Sequence, residues 1–178
     1  MHTILLGNLI SALAAAFMII GCLSNTKARI FFYQVLQCLI LTISYCIFSS
    51  WTGAITSLFS VGRNYLLAKS KFSQKAMWIF LGLIIVSTFL VKEHSLISLL
   101  PVFATVEYTL CCYYVKSVKG TKLSIFFNLT LWITYSFLIK DFSTGITDSV
   151  VLLIDALSLV RMYWQENHLT WPPAKNQC

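Results

Sequence analysis

Charge is what this sequence has least of. Only 11% of its 178 residues are Asp, Glu, Lys or Arg, against roughly 25% in soluble domains. A soluble enzyme, a disordered tail and a nucleic-acid-binding domain are all excluded by that shortage. Histidine occurs three times, at His2, His94 and His168, each outside the long apolar runs. There is no CxxC, no His/Cys cluster, no P-loop, no GxSxG and no HExxH. Neither a zinc site nor a disulfide framework follows from such spacing. Cys22, Cys38, Cys46, Cys111 and Cys112 fall inside apolar runs and read as small apolar fillers, with Cys178 at the end. The expectation is a protein that is not an enzyme and holds no cofactor or metal.

What is abundant is apolar surface: 58% hydrophobic residues and a mean hydropathy of +0.79. A membrane-crossing helix needs about 20 mostly apolar residues. Seven stretches qualify: 4–23, 30–48, 51–68, 77–91, 96–115, 123–139 and 142–162. The fold expected is all-α, a polytopic membrane protein with seven transmembrane helices. The first run lacks a basic flank, since only Met-His-Thr precedes it, so it reads as a retained span rather than a cleaved signal. Residues 164–178 read as a short polar cytoplasmic tail.

The net charge of +7 belongs to the loops. Lys27, Arg29, Lys69, Lys71, Lys75, Lys116, Lys119 and Lys122 follow spans one, three and five. Only Lys92 and Lys140 occupy the alternate loops. Eight against two places the N-terminus outside and the C-terminus in the cytoplasm.

The two halves resemble each other. Leu41-Thr42-Ile43-Ser44-Tyr45-Cys46-Ile47-Phe48 matches Leu131-Trp132-Ile133-Thr134-Tyr135-Ser136-Phe137-Leu138 at a shift of 90, and Thr52-Gly53-Ala54 matches Thr144-Gly145-Ile146 at a shift of 92. Repeat one (4–68) and repeat two (96–163) would then be parallel three-helix units joined by a linker helix at 77–91, a 3+1+3 plan. Parallel repeats related by an axis along the membrane normal place a solute site between the halves near the midplane.

Ionisable residues within a span cost about 2.5–3.5 kcal/mol at its centre and usually face the bundle interior. Arg63, Glu107, Asp148 and Asp155 are such residues. The shift of 92 sets Arg63 level with Asp155, the placement of a cross-repeat ion pair. That pair lines a solute path or, alternatively, clamps the halves together. Ser60 shares a face with Arg63, and Ser158 with Asp155. Glu107 is a candidate coupling group or second partner for Arg63, and Asp148 lies nearer the outer end. Gln34, Gln37, Asn128 and Tyr135 are polar candidates for interhelical hydrogen bonds or site lining. Trp132, away from the span ends where most tryptophans fall, is a candidate flank of the site.

Leu99-Leu100-Pro101-Val102, Cys111-Cys112, Gly145, the run from Leu152 through Asp155 to Arg161, and Gly53-Ala54 followed by Arg63 together carry a resemblance. The chain resembles the YgjV-like bacterial inner-membrane proteins from about Leu5 to Trp164, which implies that location. More remotely, the 3+1+3 layout looks like the SWEET and PQ-loop carriers, although no PQ motif is present. That likeness implies that Ser60 and either Asp155 or Ser158 are the nearest counterparts of the polar residues that hold a solute on the third and seventh helices. The leading expectation is therefore a small-solute transporter whose partners are the lipid bilayer and a small polar solute, with a homo-oligomer possible and no nucleic acid. The alternative is a non-transporting membrane scaffold or accessory subunit. An intramembrane enzyme has the least support.

Overall fold

The computed structural model describes residues 2–22, 26–91, 95–115 and 117–169. Among them are seven helices and no strand: α1 His2–Cys22, α2 Lys27–Ile47, α3 Trp51–Ala68, α4 Gln74–Leu90, α5 Leu96–Tyr114, α6 Val118–Leu138 and α7 Phe142–Leu169. Each expected apolar run is a helix. Four of them (α1, α2, α5 and α7) are long and apolar enough to cross a membrane. α4 is apolar but shorter. The α3 sequence instead buries Thr52, Thr56, Ser57, Ser60, Arg63 and Asn64 along one side.

Serines set several of the starts. Ser73, Ser95 and Ser117 cap α4, α5 and α6 by accepting from the backbone N–H groups of Ala76, Ile97 and Gly120. A side-chain oxygen there satisfies one of the four N–H groups that a helix start leaves without a partner. The Ser117 cap begins α6 five residues before the expected start at Leu123, so Lys122 is a helical residue rather than a loop charge. At the other end of the chain α7 continues past Met162 to Leu169, into the stretch expected to be tail. No proline interrupts it before Pro172.

Three turns have the same construction. Ser49, with φ 56°, Ser70, with φ 55°, and Lys140, with φ 66°, are left-handed. The N–H of Ser49 bonds to the Cys46 carbonyl and that of Ser50 to the Tyr45 carbonyl, at 3.0 and 2.8 Å. The corresponding bonds after α3 run from Ser70 to Leu67 and from Lys71 to Leu66, at 3.0 and 2.8 Å, and those after α6 from Lys140 to Phe137 and from Asp141 to Ser136, at 3.2 and 2.8 Å. All three turns close a helix with the paired bonds of a Schellman motif, using Ser and Lys where glycine would be free of strain.

The packing order closes on itself. α1 packs on α2, α2 on α3, α3 on α5, α5 on α6, α6 on α7, and α7 on α1, while α4 lies against α3 and α5. Exchanging α1, α2 and α3 for α5, α6 and α7 leaves the order of the six-helix ring unchanged; α4, placed against α3 and α5 alone, has no such symmetry. The distribution of side chains is inverted relative to a soluble fold. Leu9, Leu13, Phe89, Leu96, Phe103, Leu153 and Leu157 are exposed, while many serines and threonines and several charged residues are buried. An apolar exterior around a polar interior is the arrangement a lipid solvent favours.

Candidate functional site

α1, α3 and α7 all begin at one end of the bundle, hereafter the N-terminal end, which a polar network seals. Asn8 on α1 donates to the Lys140 carbonyl at 3.0 Å and accepts from the Ser143 N–H at 3.0 Å. Ser11 donates to Asp141 Oδ2 at 2.9 Å and stands 2.7 Å from Ser44 Oγ. Asp141 also caps α7, its Oδ1 accepting from the Thr144 N–H at 3.2 Å. Burial pushes the Asp141 carboxyl above the ordinary carboxylate range, and the bonds from Thr144 and Ser11 oppose that rise. Ser50 is hydrogen-bonded to the Tyr135 hydroxyl. Below this layer Tyr45 stacks on Trp132 and meets Tyr135 edge-on, with ring centroids 5.8 and 5.9 Å apart. Gly53 makes room for this cluster, since a Cβ there would come within 2.5 Å of the Tyr135 hydroxyl and 3.0 Å of its ring.

Beneath the aromatic cluster lies a cavity of about 320 Å³, extending toward the opposite end of the bundle. Each of the six helices in the closed order contributes to its wall; α4 does not. Arg63, Asp148 and Asp155 line it, with relative exposures of 5, 5 and 9%. Gln34, Gln37, Ser60, Asn128 and Trp132 line it too.

The expected Arg63–Asp155 pair is not formed. α3 and α7 face each other across the cavity and are not packing neighbours. Lys122 reaches Asp155 instead, its Nζ donating to Oδ1 at 2.7 Å. Because α6 starts at Val118, just after the Ser117 cap, Lys122 stands on the helix adjacent to α7. Arg63 is held from the side by α5. Its Nη1 donates to Thr109 Oγ1 at 3.1 Å, its Nε donates to Asn64 Oδ1 at 3.3 Å, and the guanidinium lies 4.7 Å from the centroid of the Tyr108 ring. Among the described residues it has no carboxylate partner.

A family model of bacterial inner membrane proteins, Imp-YgjV, matches residues 5–166. The chain belongs to this family. No curated protein and no solved structure matches it. Imp-YgjV membership makes it an integral inner-membrane protein, in keeping with its apolar helices.

Within this Imp-YgjV protein the remaining expected site residues divide by location. Glu107 does not line the cavity and makes no hydrogen bond or ion pair with Arg63, although the two charges are near enough to interact. It accepts from Ser124 at 2.6 Å on the α5–α6 contact. Tyr135 belongs to the aromatic cluster and the seal rather than the cavity wall. Asn128 lines the cavity while donating to the Ala104 carbonyl at 2.7 Å, so it also ties α6 to α5. Ser60 returns its hydroxyl to the Thr56 carbonyl at 3.0 Å. Ser158 is on α7, and its side chain lies outside the described residues. Sequence reasoning missed Asp141, Tyr108, Thr109, Asn64 and the ion-pairing role of Lys122. Asp141 was detectable: an Asp directly before a helical run, with its oxygen free for the N–H three residues on, is a cap signal. Among the described residues no three His, Cys, Asp or Glu side chains gather as metal ligands would.

Proposed function

We propose that this chain is a multi-pass carrier for a small polar solute, bound in the cavity between α1–α3 and α5–α7. The supporting observation is the cavity itself: about 320 Å³, inside the usual range for ligand sites, walled by both groups of three helices, with charged side chains at its surface. Buried ionisable groups in a membrane protein commonly mark solute or ion pathways. In this reading all seven helices cross the membrane, in the 3+1+3 grouping. The order of the six-helix ring, which survives exchange of the halves, favours it. The loop charges put the N-terminus outside and the C-terminus in the cytoplasm. The sealed N-terminal end then faces outward, and the cavity lies toward the cytoplasmic half. No catalytic step is assigned to the site.

The scaffold alternative rested on Arg63 and Asp155 clamping the two halves. Lys122–Asp155 joins α6 to α7, and Arg63–Thr109 joins α3 to α5, so only the second contact spans the halves. Osmotic swelling of proteoliposomes tests the carrier reading. In a panel of sugars, amino acids, organic acids and polyols, at least one class should enter faster than into protein-free vesicles. Ser60→Leu, which fills the cavity wall, should remove the difference. Entry of every solute at the protein-free rate would exclude the carrier and favour the scaffold.

A further inference from the structure

Resting on the carrier reading, we infer that the cavity binds a small organic acid through Arg63, and that this acid also carries hydrogen-bond donors such as an ammonium or hydroxyl group. The argument begins with charge balance. Asp155 is neutralised by Lys122 at 2.7 Å, whereas Arg63 is buried with no carboxylate hydrogen-bonded or ion-paired to it among the described residues. Its Nε and Nη1 hydrogen bonds go to neutral oxygens, and Tyr108 offers only a ring face.

Geometry narrows the ligand further. A guanidinium carries five N–H donors in a planar fork. Two hydrogen bonds to protein leave three, including both on Nη2, without a partner among the described residues. Thr109 cannot turn to serve a ligand, because its hydroxyl also donates to the Thr105 carbonyl at 2.6 Å. The guanidinium is thus held from one side by α5 while Arg63 lines the cavity. A fixed fork with spare donors suits a planar oxyanion, which accepts two parallel bonds. A carboxylate fits this requirement.

Beside the unpartnered hydroxyls of Tyr45 and Thr144, which can donate or accept, the rest of the wall supplies acceptors. Gln34 Oε1 and Asp155 Oδ2 are buried acceptors with no hydrogen-bond partner. Asp148 lines the same space and makes no hydrogen bond or ion pair among the described residues. It lies seven residues before Asp155 on α7, about 10 Å of helix rise toward the sealed end. Buried acceptors left unmatched are costly, so a ligand that brings donors to them binds better than one that does not. A simple fatty acid or an inorganic anion satisfies Arg63 and leaves these three groups bare. A polyol does the reverse.

The test compares 4-aminobutyrate with 4-aminobutanamide, which lacks only the oxyanion, and with butyrate, which lacks only the donor. Binding to the purified protein in detergent is read from the thermal midpoint, since a ligand selective for the folded state raises it with concentration. The acid should bind at least about tenfold more tightly than the amide, because charge-assisted bonds are roughly twice as strong as neutral ones. Butyrate should fall between the two. The preference should vanish in Arg63→Gln and be weakened in Arg63→Lys, which keeps the charge but not the fork. If Arg63→Gln does not fold, the wild-type pair and Arg63→Lys decide. Equal binding of acid and amide, no binding of either, or an acid preference unchanged in the Arg63 variants would overturn the inference. Swelling by a sugar in the proteoliposome assay, with no acid preference here, would overturn it while leaving the carrier reading in place.

Discussion

The two ends of the bundle treat buried charged groups in opposite ways, although the Ser136 and Thr144 hydroxyls at the N-terminal end also lack partners. At the N-terminal end Asn8, Ser11, Ser44, Ser50, Tyr135 and Asp141 engage one another or nearby backbone groups within a few ångströms. In the cavity half Arg63 has donors to spare, while Gln34, Asp148 and Asp155 keep acceptors without partners. Satisfied networks fix one geometry, and unsatisfied ones are costly unless something else completes them. In the proposed reading, the difference separates a structural seal from a site that a ligand would complete. The Lys122–Asp155 pair is the exception in the cavity half, since it holds α6 to α7.

The largest effect should come from that exception. Lys122→Ala strands Asp155 in a mostly buried position. The pair is neither fully buried nor free, with side chains 24 and 11% exposed. The loss should therefore lie above the ~1 kcal/mol of a surface pair and below the ~3–5 kcal/mol of a fully buried one. Adding Asp155→Asn should restore most of it, because the stranded charge disappears. A double-mutant cycle read by thermal denaturation in detergent measures the coupling, and additive losses would show that the pair is not formed.

Next in size is Gly53→Ala at the seal. Its Cβ would collide with Tyr135, which is buried and bonded to Ser50. Overpacking of this kind costs about 1–3 kcal/mol, more than the ~1 kcal/mol alanine returns as a better helix former. Gly145, its counterpart at the shift of 92, meets only the exposed ring of Phe137 at 3.2 Å. Gly145→Ala should leave the thermal midpoint nearly unchanged. Equal effects at the two positions would erase the packing difference between the halves.

A smaller effect is expected at Ser11. Ser11→Ala removes one bond to Asp141 and leaves the Thr144 cap, for a loss of about 1–2 kcal/mol. The smallest is a pH dependence at Asp141. Its carboxyl is raised from the ordinary 3.8 in the folded protein, chiefly by burial. A raised carboxyl favours the protonated folded state, so its contribution is fully present below the unfolded value and is lost as pH rises through the folded one. Asp141→Asn should therefore gain on wild type as pH rises from about 4. Parallel stability curves for the two proteins would show that Asp141 is not destabilised by its burial.

Much of this was legible in the sequence. Long apolar runs gave the seven helices, and the rule that intramembrane charges face inward placed Arg63, Asp148 and Asp155 around one cavity. What the sequence hid follows from neighbour relations. Arg63 and Asp155 share a level, but level does not make α3 and α7 adjacent, and a cavity separates them. Lys122 looked like one of three loop charges, whereas the Ser117 cap draws it into α6 beside Asp155. Glu107 faces the α5–α6 contact because of its angular position on the helix, which a count of depth along the chain does not reveal. Asp141 sits between two apolar runs, a place where a carboxylate is ordinarily solvated, yet the turn before α7 buries it.

The most direct test sets Asp148→Asn against Ser11→Ala in one experiment, with thermal midpoint and proteoliposome uptake of 4-aminobutyrate measured on both. Asp148 has no protein partner to lose, so its variant should keep or raise the midpoint while changing uptake. Ser11→Ala should lower the midpoint. An Asp148→Asn protein that is destabilised as much as Ser11→Ala, with uptake unaltered, would make the cavity half as structural as the seal and contradict its assignment as the site.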